Sequence, residues 1–200
     1  MTNNEFIGRK ISEAEKRIEE LIDSGDLKRL DEQEKHKIAR FYEQKSLQRL
    51  ETAKLILKTS NEDKNYSDYS EVVSAAYYSM YYIIHSFVAL HYKVKLREGL
   101  RGVHAITHHF VLYYLVKTKK LAKHLYEEYC TSLGAAAEIQ GIDADDYQEA
   151  AFAYARKYQQ QKENRERFTY FTTYHAESYH AKLSLGIAEE FVNTIRQLMI

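Results

Sequence analysis

The sequence predicts an all-α protein, an antiparallel up-and-down bundle of four to six helices, and three observations carry that prediction. The chain has no proline and only seven glycines among its 200 residues, so little in it interrupts a helix. Apolar residues recur at three- and four-residue steps along most of its length. The stretch 71–92, EVVSAAYYSMYYIIHSFVALHY, contains no Lys, Arg, Asp or Glu after its first residue. About twenty apolar residues would cross a bilayer. In lipid, however, the tyrosines, the serines and His85 would each require a hydrogen-bond partner. The stretch therefore reads as the central helix of a soluble bundle, covered by neighbours on most sides. Ala75, Ala76 and Ser79 let other helices approach closely, while Tyr77, Tyr78, Tyr81, Tyr82, Ile84, Phe87, Val88 and Leu90 supply bulk. So much apolar and aromatic surface exceeds what one bundle face covers. It predicts a homodimer with this helix at or next to the interface.

Taken in order, residues 5–23 form an amphipathic helix with Ile7, Ile11, Ala14, Ile18 and Leu21/Ile22 on one face, ended by Ser24-Gly25-Asp26. We set 1–30 apart as an added helix and 31–200 as the bundle domain. The second helix covers about 31–58, with Ile38, Phe41/Tyr42, Leu50, Ala53 and Ile56/Leu57 as its stripe. The polar stretch 60–70 is a turn, and Ser70 with Glu71 opens the central helix. After the loop KLREGLRG, a helix runs over about 103–116 and ends in KTKK, where positive charge suits a helix C-terminus. Residues 121–139 are helical again, and the aspartates of GIDADD (141–146) are placed to cap the next helix. That helix carries Tyr147, Ala151, Tyr154 and Tyr158, followed by the very polar QQQKENRER. FTYFTTYH (168–175) resembles a strand, but a lone strand has nothing to pair with, so it reads as helix or helix entry. The last helix covers about 176–198 and buries Leu183, Ile187, Phe191, Ile195 and Leu198.

Charge excludes little but redirects the search. Twenty-nine basic residues balance twenty-nine acidic ones, which removes the global argument for a nucleic-acid or membrane-surface protein and leaves room for a local basic patch. The single cysteine, Cys130, cannot form an intrachain disulfide, lacks a local basic partner, and reads as core. No signal peptide opens the chain, so a cytoplasmic location is the expectation. There is no Walker, Rossmann or nucleophile-elbow motif, and no cofactor is implied.

Several stretches together resemble a known family. FYEQKSLQRLETAKLIL (41–57) precedes a polar loop and SAAYYSMYYIIHSFVAL (74–90); GVHAITHHF (102–110) follows; RERFTY (165–170) stands ahead of IAEEFVNTI (187–195). That order is similar to the HEPN domain, a prokaryotic four-helix up-and-down bundle, over roughly 36–198. The match lies closest to the branch with an A-A-Y-Y-x-M-(Y/F) helix and a late R-x-x-A-D-Y element. Here Phe168 and Thr169 stand where that element has Ala and Asp. The resemblance implies a dimer, a metal-independent ribonuclease toxin, and a nucleotidyltransferase-type antitoxin as partner. It also implies a catalytic Arg followed, after four to six residues, by a His near a helix start. Members with the A-A-Y-Y core often lack that pair.

The chemistry explains the pair. Attack by a ribose 2′-hydroxyl needs a base with a near-neutral pKa, which histidine supplies. Charge building on the phosphate needs a fixed cation, which guanidinium supplies as a bidentate fork. Arg97 with His104, Arg101 with His108, and Arg29 with His36 all have the spacing. The first two lie at a glycine-containing loop and a helix start, where backbone N–H groups attract phosphate. Arg101, His104 and His108, at i, i+3 and i+7, would share a face and form the catalytic set, with Arg97 binding substrate. Arg165, Arg167 and His175 form a second substrate-binding candidate. The competing reading has His104 capping or packing and the arginines solvated. Tyrosine abundance is mostly core, with some rings available to stack on bases. His104 and His108 have zinc spacing but no accompanying cysteine or carboxylate, and only Glu177 with His180 fits a di-iron motif, so no metal is expected. Two functions remain open. One is an RNA- or nucleotide-binding HEPN protein acting as a ribonuclease toxin; the other is a non-catalytic interaction module that docks on a nucleotidyltransferase-type protein.

Overall fold

The computed structural model describes residues 3–63, 66–121, 148–170 and 175–200. The helices are α1 (Asn3–Asp23), α2 (Glu32–Glu62), α3 (Tyr69–Tyr92), α4 (Val103–Phe110), α5 (Gln148–Tyr170) and α6 (Ser178–Gln197). α4 continues into a π-helical stretch, Val111–Lys117, where each turn is widened by one residue. Two three-residue strands, β1 (Leu27–Arg29) and β2 (Val94–Leu96), form a two-stranded sheet within what the sequence reading treated as loops. The helical class therefore stands, with this small addition. Most of the helix expected over 121–139, the turn at 141–146, Tyr147 and Cys130 lie outside the described residues. Among the described residues, no helix is long and apolar enough to cross a membrane.

The chain divides into two compact units that are interleaved in sequence. One comprises Met1–Lys28 and Leu96–Arg156; the other comprises Arg29–Lys95 and Lys157–Ile200. In the first, α1 buries Ile7, Ala14, Ile18 and Leu21 against α4 and its π-helical extension, which contribute Ile106, Phe110, Leu112 and Leu115. Phe6 and Phe152 meet edge to face, 6.0 Å between centroids. An ion pair joins Lys117 to Glu15.

The second unit is built on α3. Asp31 starts α2 with a capping box: its carboxylate accepts from the Gln33 and Glu34 N–H groups, and the Glu34 side chain accepts from the Asp31 N–H. Asp68 accepts from the Glu71 N–H at the start of α3. α3 stops where Lys93 turns left-handed (φ 55°), and the carbonyl of Lys93 accepts from Leu30 N–H. α2 and α3 approach closely because small residues line their contact. Ser46 donates to the Ser79 carbonyl and Ser86 to the Ala39 carbonyl, each at 2.7 Å, and Ala53, Ala75, Ala76 and Ala89 are fully buried. From Val72 to Ala89, only Tyr78, Tyr81 and Tyr82 are not fully buried. The central-helix reading thus describes α3 well.

α6 buries Phe191 and Ile195 as expected, but the rest of its inward face is shifted round the helix. Its buried stripe is Ala181, Ser184/Leu185, Ala188, Phe191/Val192 and Ile195, whereas Leu183 is half exposed and Ile187 and Leu198 are only half-buried. Leu183 lies two residues from both Ala181 and Leu185, about 200° round the helix from each, so it cannot share their face. The polar QQQKENRER is helical throughout. It continues α5 through to Tyr170, with Gln161 and Arg165 buried inside.

Candidate functional site

In the first unit, Gly99 and Gly102 both take left-handed backbone (φ 74° and 73°) and shape the turn that carries the arginines. Arg97 is anchored there. Its N–H donates to the Asp26 carbonyl at 2.7 Å and its side-chain Nε donates to the Asp26 carboxylate at 2.8 Å. That hydrogen bond holds the Asp26 carboxyl below its usual range. Arg101 is exposed in the turn, one residue before Gly102, and α4 begins only at Val103. The helical phase therefore does not reach back to Arg101, and the expected shared face with His104 and His108 is not formed. His104 and His108 do stand one turn apart on α4, both half-buried.

Sequence reasoning passed over His109. Its ring centre lies 6.3 Å from that of His108, and the Nδ1 of His109 is buried. Burial pushes its pKa down, and the cations of Arg17 and Lys10 push the same way against Glu13 and Glu20. The His109 pKa therefore lies below the ordinary histidine value. The signal was present in the sequence: on a helix packed against α1, residues 106, 109/110 and 113 share the inward side. Among the described residues, no three His, Cys, Asp or Glu side chains are grouped to hold a metal ion.

The second unit separates its own candidates. Arg165 and Arg167 are two residues apart on α5, about 200° round it, so one points inward and the other outward. Arg165 is 4% exposed, while Arg167 and His175 are exposed. The Arg165 Nη1 donates to the Tyr78 hydroxyl at 2.9 Å. Its guanidinium carbon lies 5.0, 5.4 and 5.5 Å from the ring centres of Tyr77, Tyr78 and Tyr170. The rings' negative faces stabilise this desolvated cation. Beside it, the hydroxyl oxygens of Tyr77 and Tyr158, both fully buried, are 2.8 Å apart. Burial pushes the Tyr77 hydroxyl pKa far up, against the opposing effects of Tyr158 and Arg165. Gln161, one turn from both Tyr158 and Arg165, is fully buried, and its amide has no hydrogen-bond partner among the described residues.

A row of half-buried rings continues from this cluster toward the rim of α2 and α3. Tyr78, Tyr81 and Tyr82 are mutually within 6.3 Å, and Tyr82 stacks on Tyr42 at 6.1 Å with 21° between planes. His85, buried, backs the row at 4.5 Å from Tyr81 and 5.4 Å from Tyr42. Burial pushes the Tyr81 hydroxyl pKa far up. Arg49 lies over Tyr78 at 5.7 Å and pairs loosely with Glu71 at 3.9 Å. The structure thus offers an aromatic row with a cation against it.

Compared with known proteins, the chain matches no protein-family model, no curated protein and no solved structure. The HEPN resemblance accordingly rests on the AAYYSMYY helix and the motifs around it.

Proposed function

We propose that this protein is a HEPN-type helical module that binds single-stranded RNA or nucleotide on the tyrosine row of α2 and α3, without cutting it. The observation that carries the reading is the row itself: Tyr42, Tyr78, Tyr81 and Tyr82, half-buried, with Arg49 over one end. Rings held by their neighbours lose little freedom on stacking, and every base has a face to stack on, so such a row is tolerant of sequence. An adjacent guanidinium supplies charge for the backbone phosphates. Cleavage by the Arg101/His104/His108 set draws less support. A base and a phosphate clamp must reach one scissile bond together. Here Arg97 is committed to Asp26, and Arg101 stands before the helix that carries the histidines.

The test is anisotropy of a short labelled single-stranded RNA, with the same RNA run on a gel after incubation in excess EDTA. Intact RNA and saturable binding are the expected result. Tyr82→Ala should weaken binding by roughly 5- to 150-fold, the loss of one stacking platform. Arg49→Ala should lower both affinity and its salt dependence. Cleavage that survives EDTA and disappears in His104→Ala or His108→Ala would overturn the non-catalytic reading. Binding unchanged in Tyr82→Ala would remove the row from the site.

A further inference from the structure

We propose that Glu71 makes the tyrosine row selective for guanine, its carboxylate accepting hydrogen bonds from the edge of a base held at the Arg49 end. The inference rests on the reading of the row as a nucleic-acid site and adds which base that site prefers. Glu71 stands in the first turn of α3, two turns before Tyr78, ~10.5 Å along the helix and on the same side of it. Tyr82 follows Tyr78 by one turn, so carboxylate and rings lie in line. Arg49 of α2 connects them. Its guanidinium carbon is 5.7 Å from the Tyr78 ring centre, and its Nη1 is 3.9 Å from a Glu71 carboxylate oxygen. That separation is too long for a hydrogen bond. The Glu71 carboxylate is half-buried and accepts no hydrogen bond among the described residues. Burial pushes its pKa up, against the pull of Arg49. Nor does α3 need it as a cap, because Asp68 already accepts from the Glu71 N–H at 3.0 Å.

A carboxylate beside a strand of phosphates repels it, and only donors on a base reverse that sign. The bases differ in what their exposed edges offer in a single strand. Guanine presents two adjacent donors, the ring N1–H and the N2 amino group, which match the two oxygens of one carboxylate. Adenine and cytosine each set an acceptor nitrogen beside their amino group, and uracil sets its one N–H between two carbonyls. Each of those three therefore turns a lone pair toward Glu71, and guanine does not. Arg49 supplies the surface on which the base lies, since a guanidinium is flat and stacks on bases as it does on rings. A base seated there has Glu71 at its edge, while Tyr81 and Tyr82 remain for its neighbours in the strand. The hydrogen bonds so formed are charge-assisted, and two in parallel fix the base in its plane.

The experiment is fluorescence anisotropy of the full chain with four labelled uridine oligomers of one length: all uridine, or carrying a single central guanosine, adenosine or cytidine. The guanosine strand should bind wild-type protein more tightly than the other three, by roughly 5- to 150-fold for one bidentate base contact. Glu71→Gln keeps the size of the side chain but puts a donor in place of one acceptor. It should bring the guanosine strand to the level of the others, and should leave those others bound no more weakly, because a repulsion goes with the charge. Tyr82→Ala should weaken all four by a similar factor. Circular dichroism on each variant checks that helical content persists. Four strands bound equally by wild type, and all weakened by Tyr82→Ala, would leave the row in place and overturn the guanine inference alone. A guanosine preference that survives Glu71→Gln would overturn it as well. If no strand binds, the reading of the row fails, and this inference fails with it.

Discussion

The Tyr77–Tyr158 pair offers the sharpest test of how the second unit is held. Both rings are fully buried, and the two hydroxyls satisfy each other at 2.8 Å. Tyr77→Phe keeps the ring beneath Arg165, so the cation–π contact remains, but removes the hydroxyl that the buried Tyr158 hydroxyl meets at 2.8 Å. A buried polar group that loses its partner costs about 1–3 kcal/mol. Tyr158→Phe should cost a similar amount for the mirror reason. Removing both hydroxyls strands neither, so the double variant should lie closer to wild type than the sum of the singles, with a coupling of roughly 1–3 kcal/mol. Urea titration followed by far-ultraviolet circular dichroism measures the three differences directly. On the melting scale, each kcal/mol corresponds to about 2–4 °C for a chain of this size. Two neutral singles, or a double equal to their sum, would refute the claim that this hydrogen bond is structurally coupled.

Two further outcomes are expected. Arg165→Met should destabilise the protein by about 2–4 kcal/mol in the same titration, combining a charged hydrogen bond with several ring contacts. Arg165→Lys should recover little of it, because an ammonium lacks the flat guanidinium that lies among the rings. His109 has its folded pKa below the unfolded value near 6.5. Its contribution is therefore complete above that value and is lost as pH falls from it through the lower folded pKa. Melting temperatures measured between pH 7.5 and 5 should decline, and His109→Gln should flatten that decline. An unchanged slope in the variant would assign the acid sensitivity to other groups.

What the sequence shows plainly is the set of features governed by local chemistry. α3 is legible because the twenty-one residues 72–92, without Lys, Arg, Asp or Glu, admit few alternatives. Asp31 and Gly25 mark helix boundaries because caps and left-handed turns demand those residue types, whereas α3 is capped by Asp68, two residues before the expected Ser70. What escapes is phase and partnership. Leu183 is as apolar as Leu185, and only the packing of α6 decides which faces inward. Arg165 and Gln161 look solvated inside QQQKENRER, yet tyrosines supplied by α3 and α5 make a place for the cation. Spacing alone put Arg101 in register with two histidines, and one left-handed glycine, Gly102, breaks that register.

The choice of tyrosine on α3 connects stability to the proposed site. A central helix needs apolar bulk on nearly every side, and leucine or phenylalanine would supply it. Tyrosine adds a hydroxyl that must be satisfied wherever it is buried. On the inner side that requirement is met by Tyr158 and by Arg165, which fixes how α5 lies against α3. On the rim the same rings remain half-buried, each held against its neighbours in the row. Tyr78 belongs to both settings: its hydroxyl accepts from buried Arg165 and its ring is also covered by Arg49. A base stacking on the row would meet rings whose orientation the core has already set. Changes at Arg165 would then reach the row through Tyr78, without that arginine touching the ligand.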